Sequence, residues 1–97
     1  MLMKIHKIPG KGDIVAVCDS ELINTRIEHG NLEIFVDEKF YGTTPASREE
    51  VQEAIVDAMS VNLIGIRAVS AAESIGLITT SGCIMFGDIP HAQIYRV

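Results

Sequence analysis

Cysteine is scarce: Cys18 and Cys83 stand alone, far apart, with no second pair. That excludes a disulfide framework and a multi-cysteine metal site, and the two thiols read as small buried hydrophobes of a reducing compartment. Long apolar runs are missing too. None approaches the roughly 20 residues of a membrane span, and the opening MLMKIHK lacks the apolar stretch of a secretory leader. The expectation is a cytoplasmic protein that meets no membrane. Catalytic signatures are equally thin. There is no nucleophile–base motif and no cofactor loop, and the three histidines, His6, His29 and His91, do not have ligand spacing. Gly10-Lys11-Gly12 lacks the spacing and the following helix of a phosphate loop, so it reads as a plain turn. Neither a metal nor a cofactor is expected.

The charge is −5 and unevenly distributed. Lys4, Lys7 and Lys11 lie in the first twelve residues with no acid among them, whereas residues 13–57 hold eleven acids and three bases. Nonspecific nucleic-acid binding draws its affinity from phosphate neutralisation and calls for a basic protein. The overall balance argues against that role, while a local site is still allowed.

Ninety-seven residues, 47% of them hydrophobic, suffice for one domain spanning 1–97 with a modest core. Residues 2–8 and 14–18 read as an antiparallel hairpin around the turn PGKGD. Residues 20–27 read as a short helix capped by Asp19 or Ser20 and ended at His29–Gly30. Residues 31–36 alternate as a half-buried strand. A loop over 37–46 carries the aromatic pair Phe40–Tyr41. Ser47 and Glu50 then form a capping box, S-x-x-E, that opens an amphipathic helix. Residues 83–86 and 91–97 read as a second hairpin.

The stretch from Ser60 to Ile78 reads as the central, buried helix. On a helical wheel Val61, Ile64, Ala68, Ala71, Ala72 and Ile75 cover an arc of about 160°. The small residues Gly65, Ala68 and Ala72 at its centre permit close approach to a sheet. Leu63 and Ile66 fall on the polar side, which marks them as candidates for a subunit interface and leaves a homodimer open. One helix from Ser47 to Ile75 would be about 43 Å long, against about 30–35 Å for a domain of this size. A break near Met59–Val61 follows.

These elements imply an α+β fold. It is a two-layer sandwich in which a mixed sheet of about five strands carries two longer helices on one face, with one short helix besides. The other sheet face would then collect residues of opposite parity: Lys4, His6, Glu33, Phe35, His91, Gln93 and Tyr95. Aromatic and hydrogen-bonding groups on an open sheet suit unpaired bases or a peptide.

Four segments of the chain carry a resemblance: Val15-Ala16-Val17-Cys18-Asp19, Phe40-Tyr41-Gly42, Val61-Asn62-Leu63-Ile64-Gly65 and Gly87-Asp88-Ile89-Pro90-His91-Ala92-Gln93-Ile94. Together they resemble an archaeal family of small proteins, the domain of unknown function four hundred and twenty-four. The resemblance covers nearly the whole chain in order, and Pro-His-Ala-Gln is its most specific part. It implies an archaeal, intracellular, single-domain protein. The family supplies no established activity, so it assigns no catalytic residue.

Three functional readings remain. The first is a non-enzymatic binding module whose open face meets RNA, a ribonucleoprotein or another protein through His91, Gln93, Tyr95, Phe35, His6 and Lys4, with Asn62 and Tyr41 as further binding candidates. The second is a small enzyme with His91 as acid or base, helped by Asn62, Gln93, Tyr41 or Asp19, because histidine titrates near neutral pH. The third is a homo-oligomeric structural protein that associates through Leu63 and Ile66.

Overall fold

The central element of the sheet is Ser60–Ile64, a strand and not the first turns of a helix. The computed structural model describes residues 1–96, with Thr80 by its backbone only. The strands are β1 (Leu2–Ile8), β2 (Gly12–Cys18), β3 (Arg26–His29), β4 (Leu32–Phe35), β5 (Ser60–Ile64), β6 (Ile84–Phe86) and β7 (Ile89–Tyr95). The helices are α1 (Glu38–Tyr41), α2 (Arg48–Ile55) and α3 (Ile66–Glu73). Five strands form one sheet in the order β1-β2-β5-β7-β6, and β3 pairs with β4 as a separate ribbon. β2 and β5 run parallel, while the other neighbours in the large sheet are antiparallel. This is the expected α+β fold with its mixed sheet. Both hairpins hold, with β7 starting earlier than read; Val97, included in that reading, lies outside the described residues.

Why Ser60–Ile64 is extended follows from its place. It lies between β2 and β7, with Val61, Leu63 and Ile64 wholly buried, Ser60 nearly so and Asn62 half-buried. A strand buried on both sides is a near-continuous apolar run, and periodicity alone does not separate that from a buried helix. Gly65 ends the strand at φ +112°, a backbone geometry that a side chain would oppose, and α3 starts at the next residue. The molecule extends 38 Å along its longest axis, so the 43 Å helix would indeed not fit, and the break comes as a whole strand. α2 ends at Ile55, before it.

α2 opens with the expected capping box: Ser47 Oγ accepts from Glu50 N at 3.1 Å, and Glu50 Oε1 accepts from Ser47 N at 2.9 Å. It and α3 cover one sheet face. Ala68, Ala71 and Ala72 are fully buried there, in one core with Val15, Val17, Val51, Ile55, Val61 and Leu63. Leu63 is therefore interior, and its assignment to a subunit interface is corrected. As a strand residue it shares the face of Val61, which the helices cover.

The reverse face is not fully open. Residues 20–27 form a single tight turn, Ser20–Leu22, and then β3, instead of a helix. Asn24 takes φ +59°, and the ribbon continues past its strands through Asn24 N to Val36 O at 2.6 Å and Val36 N to Thr25 O at 2.9 Å. His29–Gly30 is the ribbon's turn, not a helix end. Ile27, Val36 and Tyr41 pack on Leu2, Ala16, Cys18 and Ile64 in a second core. Tyr41 belongs to α1, a four-residue helix within the expected loop, whose N-terminus is capped by Asp37 Oδ1 on Lys39 N at 2.9 Å. The ribbon and α1 thus cover one end of the reverse face and leave the other end free.

A candidate binding groove

Strand pairing decides which side chains share the free end. Asn62 stands opposite Gln93, and Ser60 opposite Tyr95. Ile14 of β2 pairs with Ser60 on the other side and with His6 of β1. By the two-residue period these all point to the reverse face. The result is a groove of about 470 Å³. Ser60, Asn62, Gln93 and Tyr95 form its floor; Ile8, Ile14 and Phe40 flank it; Met59, Gly12 and Lys11 close one end. The lining is mainly apolar, with two neighbouring carboxamides that can each donate and accept hydrogen bonds.

Phe40 is held in this position by α1 and His6. The His6 ring stacks on it with centroids 5.2 Å apart, and His6 Nε2 donates to the Phe40 carbonyl at 2.8 Å. The Tyr41 ring meets Phe40 edge-on at 5.0 Å. Gly12 contacts Met59 so closely that a Cβ would come within 3.3 Å of the Met59 Cβ, which pins the β1–β2 turn beside β5.

Of the residues expected on the open face, the structure brings Gln93 and Tyr95 together in the groove, where Asn62, a separate binding candidate, joins them; Gln93 is exposed and Tyr95 is 68% exposed. His6 supports Phe40 from behind. Lys4 shares the face but reaches away, its Nζ donating to the Lys39 carbonyl at 3.1 Å. Glu33 and Phe35 do not join the site: they belong to β4, outside the large sheet, on the side of the ribbon opposite Ile34. Glu33 pairs there with Arg26 at 3.1 Å. Tyr41 is buried, not presented, and burial pushes its hydroxyl pKa up to about 12. Asn62 is mid-strand and half-buried, with its side chain in the groove floor.

His91 is separate from the groove, at the covered end, opposite Ile64 and Ile84 and edge-on to Phe86 at 6.2 Å. Burial lowers its pKa below the ordinary histidine value. Asp19 is committed elsewhere: its carboxylate accepts from Arg67 N at 3.1 Å and Ala68 N at 2.9 Å, capping α3. Ile66 is 63% exposed and borders a smaller hollow of about 340 Å³ with Val69, Met85 and Pro90. Among the described residues no group of three metal-ligating side chains occurs, and no helix is long and apolar enough to cross a membrane.

Sequence reasoning missed Phe40, Lys11, Ser60 and Met59 as groove residues. Reading Ser60–Ile64 as a strand would have found Ser60, since it shares parity with Asn62. The contribution of Phe40 depends on α1 folding over β1, which no local pattern encodes.

Comparison with known proteins gives a consistent but functionally silent result. A family model described as "Protein of unknown function (DUF424)" matches residues 6–97. A crystal structure of an uncharacterized conserved protein from Methanopyrus kandleri superposes with a TM-score of 0.76 at 22% identity, over 99% of this chain and 93% of that one. No curated protein matches the sequence.

Proposed function

The chain belongs to the DUF424 family of proteins of unknown function, and we propose that it is a non-enzymatic, cytoplasmic binding module whose groove receives one unpaired base of an RNA strand. The observation that carries this reading is the Asn62–Gln93 pair, two carboxamides in register on adjacent strands, beside Tyr95 in the floor of an apolar groove flanked by Phe40. Carboxamides match the donor–acceptor edges of bases, and aromatic rings on a sheet offer them a stacking surface. The acidic charge of the whole chain is compatible with this, because a single base read in a groove does not need a long basic track.

Fluorescence anisotropy with short labelled oligoadenylate and oligouridylate tests it. Binding is expected at low salt, weakened at least several-fold by Tyr95→Ala and by Gln93→Leu, as loss of a stacking partner or base contact implies. Absence of binding to both oligonucleotides at low salt overturns the reading.

One observation favours a second reading, self-association. Ile66 is 63% exposed beside Met85 at 44%, and Ile84 on the edge strand β6 is 58% exposed. Exposed apolar groups on an edge strand invite pairing with another chain. A monomer in sedimentation at high concentration removes that reading.

A further inference from the structure

Building on the base-binding reading, we infer that Lys11 clasps a phosphate of the bound nucleotide, so that the groove selects an anionic strand and not merely a flat base. The charge pattern carries the argument. The chain has thirteen acids and eight Lys and Arg residues. Yet among the described residues the groove lining contains no carboxylate, and Lys11 is its one cationic side chain. A ligand that enters therefore meets a locally positive mouth in a negative protein.

Lys11 is also available and fixed at its root. It is exposed and forms no ion pair among the described residues, whereas Lys7 pairs with Asp13 at 3.5 Å and Lys4 Nζ bonds the Lys39 carbonyl. Its backbone N–H donates to Ile8 O at 3.0 Å, between Gly10 at φ +75° and Gly12 at φ +104°. Gly12 abuts Met59, which anchors the turn to the groove's end. The flexible stem can then deliver the ammonium to a phosphate while the base occupies the floor. Lysine is suited to this as a point charge with three donors.

The test measures binding of labelled oligouridylate to the full chain across a potassium chloride series, for wild type, Lys11→Gln and Lys7→Gln. A single phosphate contact on single-stranded nucleic acid contributes about 0.7 to the slope of log affinity against log salt. Lys11→Gln is expected to lose about that much slope and to weaken low-salt binding of oligouridylate several-fold. Lys7→Gln, on the helix-facing side of β1, is expected to change neither. Unchanged slope and affinity in Lys11→Gln, with Tyr95→Ala still weakening binding several-fold, overturns the phosphate role and leaves the base site standing. No binding by wild type overturns both. Circular dichroism melting of each variant confirms that the fold persists.

Discussion

The carboxylate of Asp19 occupies the space where Gly65 has no side chain. A Cβ built on Gly65 would come within 2.6 Å of Asp19 Oδ1, and the same carboxylate accepts from Arg67 N and Ala68 N. The end of β2 is thereby fastened to the start of α3, and Gly65 turns the chain between β5 and α3 at φ +112°. Gly65→Ala combines a strained backbone with a steric clash. It is expected to destabilise by about 2–6 kcal/mol, the sum of the ranges for strain and overpacking. Chemical denaturation measures it, and loss below about 1 kcal/mol would contradict the account.

A second contrast separates core from surface. Leu63 is fully buried under the helices and Ile66 is 63% exposed. Leu63→Ala is expected to cost about 2–5 kcal/mol by transfer and cavity formation. Ile66→Ala should stay within about 0.5 kcal/mol in the monomer, as exposed positions do. Equal losses at both positions would contradict this division between core and surface.

Much of this architecture was legible in the sequence, and the exceptions have physical causes. The capping box at Ser47 and Glu50, the turn at Gly10 and the small inner face of α3 are local signals, and each appears where its residues put it. Ser60–Ile64 misled because both of its faces carry buried apolar residues, Val61 and Leu63 on one and Ile64 on the other, so the strand loses its alternation. Residues 20–27 misled because Leu22, Ile23 and Ile27 do point inward, but from a turn and a ribbon strand. The groove floor was partly foreseen through Gln93 and Tyr95. Its wall was not, because Phe40 arrives through the packing of α1 on β1 and the stack with His6, a contact across 34 positions of sequence.

Stability should carry a signature of His91. Burial lowers its folded pKa below 6.5, the ordinary value that the unfolded chain retains. As pH falls past that value the unfolded chain binds a proton that the folded chain resists, so stability falls. Above it both states are neutral at this group and no penalty applies. Denaturation of wild type should therefore lose more stability than His91→Gln on going from about pH 7.5 to about pH 5.5. A parallel decline in both proteins would contradict the assignment, and the comparison cancels the carboxylates common to the two chains.

The most direct measurement of the central claim is amide chemical-shift mapping of labelled protein titrated with short single-stranded oligoribonucleotide. The account predicts shifts concentrated at Phe40, Ser60, Asn62, Gln93 and Tyr95, with Lys11 moving at the groove's end. Shifts confined to the ribbon β3–β4 or to the exposed side of α2 and α3, with the groove residues unmoved, would contradict it.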